Sequence, residues 1–294
     1  MIKAGIIGKA NRQTKKLFSI LLHHPDVEVK ALICPEYEGA RVDRVFRELV
    51  GETDLVFGAI NTQELDVIFI RDDADIEKAG EVLKNLREDA YVISGIRTAL
   101  ESTPYITGIA ELNRKLIVRD THRVFSPHAT TIAGLLGLLP LAKNLLLSGT
   151  VKITFTGGSR EFNDNETKTE IETALSSLQS SFNSPLEISF MKTDDSSDLL
   201  MEASVDCRVA EDVLRELYED YYDDHNFTFL VNEVNSGDAR GTNKCFISLK
   251  SDGSRLLLRT TIDSEIKGDV GNCVHLMNLL FGLHERVGLM LNPC

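Results

Sequence analysis

The sequence of 294 residues has no tryptophan, seven prolines and only five cysteines. The cysteines, Cys34, Cys207, Cys245, Cys273 and Cys294, are scattered, odd in number and never spaced as CxxC, so neither a disulfide framework nor a zinc site is indicated. A reducing cytoplasm is the expected compartment. No long hydrophobic run is present: the longest, Ala133–Ala142, contains Pro140 and falls well short of the ~20 residues a membrane span requires. The opening segment from Met1 to Gly8 reads as a strand and has no signal-peptide pattern. Positive charge is the scarcer sign, with 32 Lys and Arg against 45 Asp and Glu and a net charge of -13. That balance disfavours nucleic acid and anionic membranes as partners, while leaving room for a local anion pocket.

What is present is an ordinary globular composition, 43% hydrophobic and 26% charged, in a chain long enough for two domains. The first 120 residues alternate short apolar runs with helical patterns. Strands are predicted at Ile2–Ile7, Val27–Ile33, Asp66–Ile70, Ala90–Ser94 and Leu116–Arg119, and helices at Gln13–His23 and Asp75–Leu86. Such alternation implies a doubly wound α/β half with a parallel sheet. From about Val151 the pattern changes. Strands are predicted at Lys152–Thr156, Leu186–Met191, Leu199–Arg208, Asn243–Lys250 and Arg255–Thr261, the last two joined by a hairpin turn at Ser251–Ser254, with helices at Thr169–Phe182 and Ala210–Tyr222. This half reads as an antiparallel α+β domain. A long apolar helix, Thr130–Leu147, links the halves, and a last helix spans Asn272–Leu283. The acidic run Glu216–Asp224 lacks EF-hand spacing and reads as a solvated helix face with Tyr218, Tyr221 and Tyr222 turned inward. No metal site is expected.

A first strand running directly into Gly8 and a helix is where a doubly wound domain holds a pyrophosphate. The segment from Gly8 to Lys16, GKANRQTKK, keeps only the first glycine of that pattern. Asn11 can adopt positive φ, whereas Thr14 adds bulk where helix and strand should meet. Two readings stand. Gly8, Lys9, Asn11 and Arg12 form a modified phosphate loop whose side-chain charge replaces lost backbone contacts, or the turn is ordinary and its cations are a solvated helix face. Glu36, after Cys34-Pro35, is the candidate acid for an adenosine ribose.

Five segments in order resemble the N-acetyl-γ-glutamyl-phosphate reductases of the aspartate-semialdehyde dehydrogenase superfamily. They are Met1–Gly8, Leu21–Glu28 (similar to LLxHPxVE), Gly108–Arg114 (similar to GLPELNR), Ser126–Leu141 (similar to NPGCYxTxxxLxLLPL) and Ile262–Leu283 with its Lys267-Gly268, Gly271 and Met277-Asn278-Leu279. The resemblance implies a dinucleotide-binding-type domain, residues 1–127 with 268–294, and an α+β substrate and dimerisation domain, residues 128–267. It also implies NADP as hydride donor, although the loop's lost glycines count against binding, a small-molecule ligand, and a homo-oligomer or a hetero-oligomer with a genuine reductase.

In that family a cysteine thiolate at the start of the long helix attacks an acyl phosphate, and hydride then reduces the thioester. Here the stretch reads Ser126-Pro127-His128-Ala129-Thr130-Thr131, with Ala129 at the nucleophile position. A methyl group forms no thioester. His128 is a neighbouring candidate acid or anion ligand, and equally a helix cap; Thr130 and Thr131 are hydroxyl candidates that also suit capping. The histidine-bearing HRHxPEI segment corresponds to Asn165–Ile171, which keeps Glu170 and Ile171 and loses both histidines. The HG after the third strand becomes Ala74-Asp75, DxSxDxR becomes Ser94–Leu100, and the substrate loop around Gly157–Lys168 reads as shortened. Cys273 is the one cysteine placed to substitute, and otherwise a small buried hydrophobe. The expectation is a catalytically silent paralogue, the alternative an NAD(P)-dependent oxidoreductase with changed chemistry.

Overall fold

The computed structural model describes residues 1–58, 61–100, 103–159, 164–193 and 197–290. The chain divides into two units, Met1–Ser126 with Asn272–Met290, and Pro127–Gly271.

In the first unit the order is β1 (Ile2–Ile7), α1 (Arg12–Leu22), β2 (Val27–Ile33), a one-turn α2 (Val42–Val45), β3 (Val67–Ile70), α3 (Ile76–Lys84), β4 (Tyr91–Ser94), β5 (Ile106–Thr107), α4 (Ala110–Asp120) and β6 (Arg123–Phe125). All six strands are parallel, in the order β2-β1-β3-β4-β6-β5. Strands covered on both faces need continuous apolar runs, and β3, Val-Ile-Phe-Ile, is buried at every position. Asn11 caps α1 by accepting from the Thr14 N–H at 2.9 Å, and Asp75 caps α3 by accepting from the Lys78 N–H at 2.8 Å. Those caps point Leu17, Phe18 and Leu21, and Ala79 and Val82, at the sheet.

One predicted strand is corrected. Leu116–Arg119 is the end of helix α4, and the strand at this edge is β6, a few residues later. The apolar triplet Leu116-Ile117-Val118 invites a strand, yet only Ile117 is buried, at 1% exposure, while Leu116 and Val118 are 49% and 54% exposed. One buried position in the triplet suits a helical period. A strand covered on both faces would bury all three.

The second unit contains α5 (Ala129–Lys143), β7 (Val151–Gly157), α6 (Asp164–Leu178), β8 (Leu186–Met191), β9 (Asp198–Asp206), α7 (Glu211–Tyr222), β10 (Thr228–Leu230), β11 (Cys245–Ser251) and β12 (Arg255–Asp263). The chain then enters α8 (Gly271–Leu280), nearly all of which belongs to the first unit. The sheet order is β10-β11-β12-β9-β7-β8. Its three central ladders are antiparallel, and the edge pairs β10–β11 and β7–β8 are parallel. α6 begins five residues before its predicted start, because the polar segment Asn165–Lys168 turns Thr167 and then Glu170 towards α5. Apolar periodicity cannot report a helix turn that faces its neighbour with hydroxyls and a carboxylate.

α5 lies against the sheet at Gly137, where a Cβ would stand 2.4 Å from Met201 Cε and 2.8 Å from Thr260 Oγ1. Pro140 lacks an N–H, so the Leu136 carbonyl loses its helical partner. The Tyr222 hydroxyl of α7 donates to that carbonyl, and Tyr218 donates to Gly137 O at 2.6 Å. Burial pushes the Tyr218 phenol well above its ordinary pKa, keeping it a donor. Tyr222→Phe is therefore expected to lower unfolding stability by about 1–3 kcal/mol, the cost of an orphaned buried carbonyl, in a denaturant titration. Unchanged stability would show that the proline-broken helix needs no external donor.

Candidate functional site

In the first unit the sheet order reverses between β1 and β3, so their carboxyl ends, at Gly8 and Arg71, flank the switch point where open α/β sheets bind ligands. Space above Gly8 is already filled. A Cβ there would stand 2.6 Å from Arg71 Cγ and 3.1 Å from Asp73 Oδ1. The Asp73 carboxylate accepts from the Lys9 backbone N–H at 3.2 Å through Oδ1 and from the Asn11 side-chain amide through Oδ2. Arg71 is 4% exposed and pairs with Asp72 at 3.7 Å. The Lys9 and Arg12 side chains are exposed, while Thr14 is fully buried and its hydroxyl has no hydrogen-bond partner among the described residues. Glu36 sits exposed on a 3-10 turn at the carboxyl end of β2. The neighbouring Cys34 thiol is buried, and desolvation raises its pKa, which works against thiolate chemistry.

Elsewhere in this unit, Cys273 is 5% exposed, its Sγ 3.7 Å from Ser126 Oγ. Asn272 Nδ2 donates to the same hydroxyl and to Gly108 O, both at 3.0 Å. His275 and Glu285 meet at 2.6 Å, Arg114 also pairs with Glu285, and Asn278 Nδ2 donates to Glu285 O at 3.1 Å. These contacts tie the chain after α8 to the motif residues Arg114 and Asn278.

In the second unit Ala129 opens α5, half-buried, after His128 at the N-cap. His128 makes no side-chain capping bond and instead stands 3.7 Å from Glu166 of α6. Thr130 and Thr131, both buried, turn to α6 as well, with Thr130 Oγ1 2.8 Å from Thr167 Oγ1 and Thr131 Oγ1 donating to Glu170 Oε2 at 2.7 Å. Thr167, at one of the two positions where the resemblance calls for histidine, is 1% exposed. The two helices are thus tied by hydroxyls and carboxylates at the level where the resemblance calls for a thiol and an imidazole.

A turn from Ile266 to Val270 backs this helix start. Gly268 lies so close to Ala129 that a Cβ would come within 2.4 Å of the alanine Cβ and 3.0 Å of its Cα. Lys267 is fully buried, its Nζ 5.7 Å from the centre of the Phe227 ring. The turn is seated by Asp263, 2% exposed, whose carboxylate accepts from Glu265 N at 2.9 Å, Ile266 N at 3.0 Å, Gly241 N at 2.7 Å and Ser197 Oγ at 3.0 Å.

Sequence reasoning missed Asp73, the Thr130–Thr167 pair and the Asp263 seat. For Asp73 a signal existed, since Asp72-Asp73 follows the third strand at the carboxyl edge of the sheet, where a phosphate-binding domain has reason to avoid acids. The loop around Gly157–Lys168, read from the sequence as shortened, falls partly on residues 160–163, outside the described residues, and Cys294 lies outside them too.

The fold is that of the aspartate-semialdehyde dehydrogenases. Among solved structures, aspartate semialdehyde dehydrogenase II complexed with ASA from Vibrio cholerae aligns with a TM-score of 0.68 and 14% identity, over 96% of this chain and 99% of that one. Aspartate semialdehyde dehydrogenase with NADP from Candida albicans gives 0.71 and 13%, over 95% and 98%. No family model matches. In sequence the chain is 33% identical over 320 residues, 100% of this chain and 99% of the relative, to N-acetyl-gamma-glutamyl-phosphate reductase of Phocaeicola vulgatus, and 32% identical over the same spans to that of Parabacteroides distasonis. The chain belongs to the N-acetyl-gamma-glutamyl-phosphate reductase family. Alignment over 320 positions against 294 residues means that gaps fall in this chain. Among the described residues no helix is long and apolar enough to cross a membrane, and no group of three or more His, Cys, Asp or Glu is placed to hold a metal ion.

Proposed function

We propose that this chain is a member of the family that has left cysteine-dependent acyl-phosphate reduction. It keeps the fold as a non-catalytic relative, with the first unit of dinucleotide-binding type and the second a platform for a small metabolite and for assembly into an oligomer, with itself or with a genuine reductase. The observation that carries this reading is Ala129 at the first position of α5, backed by the Gly268 turn. Covalent catalysis at a helix start needs a thiolate, and the dipole that would stabilise it here meets a methyl group.

The surroundings support the same reading. A working site needs nucleophile, acid–base group and electrophilic stabilisers within reach of one another. Thr130, Thr131, Thr167 and Glu170 are consumed by contacts between α5 and α6, and His128 is held by Glu166 with no nucleophile adjacent in sequence. Loss of a covalent nucleophile together with its partners costs several orders of magnitude in rate.

The test is NADPH consumption with N-acetyl-γ-glutamyl phosphate, the Phocaeicola vulgatus relative serving as positive control. No consumption above the buffer rate is expected, and sustained turnover would overturn the proposal.

A further inference from the structure

NADP, implied by resemblance to the family, does not fit the loop at the switch point, and the reason is a residue of the chain itself. We propose that Asp73 is an intramolecular anion that takes the place of a dinucleotide phosphate at the β1–α1 turn and makes the first unit refuse nicotinamide nucleotides. This goes beyond the reading of Ala129 and does not depend on it.

A phosphate at such a turn is held by loop N–H groups, by the first turn of the helix and by close approach over glycine. Several of these groups already have another partner here. The Lys9 N–H donates to Asp73 Oδ1, the Asn11 side chain donates to Asp73 Oδ2, and the Thr14 N–H donates to Asn11 Oδ1 at 2.9 Å. Asp73 and the stem of Arg71 cover Gly8 closely enough that even a methyl group there would collide. A carboxylate bound to loop and cap imitates two oxygens of a phosphate, and its single charge suits the same dipole.

The sheet explains how the residue arrives. Parallel pairing of β1 with β3 in register, Ile7 opposite Ile70, brings the exit of β3 beside the exit of β1. Arg71, Asp72 and Asp73 therefore emerge beside Gly8. Two anions within a few ångströms repel strongly where solvent is partly excluded, so a nucleotide phosphate has to displace Asp73 rather than join it.

The experiment titrates the full chain, and its Asp73→Ala and Asp73→Asn variants, with NADPH, NADP and inorganic pyrophosphate by calorimetry and thermal shift. No saturable binding by the wild type below millimolar concentration is expected. At least a tenfold gain in affinity for NADPH or pyrophosphate is expected in Asp73→Ala, with a smaller gain in Asp73→Asn, whose amide keeps a hydrogen bond but loses the charge. Micromolar NADPH binding by the wild type would overturn the proposal, and so would two folded variants that bind no better than it does. Should Asp73→Ala fail to fold, the wild-type titration and the isosteric Asp73→Asn still decide the matter. Because the readout is binding, a failure here is distinguishable from a failure of the non-catalytic reading, which rests on turnover.

Discussion

Asp263→Ala is expected to cost the second unit about 2–4 kcal/mol, because four donors lose one buried acceptor group; the buried Glu265 N–H costs about 1–3 kcal/mol when orphaned, and the three part-buried donors recover some hydrogen bonding from water. Against a total stability of about 5–15 kcal/mol for a domain, that loss is a large fraction of what keeps the unit folded. The mechanism is local. Asp263 ends β12 and receives the N–H groups of Glu265 and Ile266, which bend the chain into the turn carrying Lys267 and Gly268. The Gly241 N–H and the Ser197 hydroxyl anchor two further segments on the other carboxylate oxygen. Asp263→Asn is expected to fall between wild type and alanine, since one oxygen survives and the new amide faces donors rather than acceptors. Chemical denaturation followed by circular dichroism measures the order wild type, Asn, Ala. Equal stability for all three would mean that the carboxylate does not hold the turn.

The second large effect concerns chemistry. Ala129→Cys is expected to create a reactive thiol without creating a reductase. Position 129 is half-buried at the first turn of α5, where the helix dipole lowers a thiol pKa, so the new cysteine should be alkylated faster than the four buried native ones. Cys34, Cys207, Cys245 and Cys273 are all buried. Acylation by N-acetyl-γ-glutamyl phosphate should follow. Hydride transfer should not, because the position where the resemblance calls for an imidazole is the buried Thr167, bonded to Thr130, and on the proposal above Asp73 takes the place of the nucleotide phosphate. A variant with turnover within tenfold of a working relative would show that Ala129 is the sole defect.

Much of the fold is legible in the sequence because fully buried parallel strands have to be apolar throughout. β1 and β2 span the residues their patterns indicate, and α1 and α3 lie within one or two residues of their predicted spans, although Asn11 caps α1 from an extended conformation and not from positive φ. Legibility fails where neighbours override local preference. Leu116-Ile117-Val118 has strand-forming side chains but one buried position, and the first turn of α6 is polar because its partners on α5 are hydroxyls. For the site, the missing thiol at Ala129 can be read directly from the motif. Its surroundings cannot. Asp73 reaches Lys9 across 64 residues through the β1–β3 pairing, and Asp263 gathers donors from three segments; neither arrangement leaves a periodic trace. A substitution is visible as one letter, whereas the contacts that make it consistent with its surroundings are visible only in three dimensions.

On the proposed function, no native group of this chain forms a covalent acyl intermediate. Intact-mass spectrometry after incubation of the wild-type protein with excess N-acetyl-γ-glutamyl phosphate tests it most directly, with Ala129→Cys as the control that the conditions permit acylation. An unchanged wild-type mass is expected, with one added acyl group on the variant. A hydroxylamine-sensitive acyl adduct on any native cysteine of the wild type would contradict it.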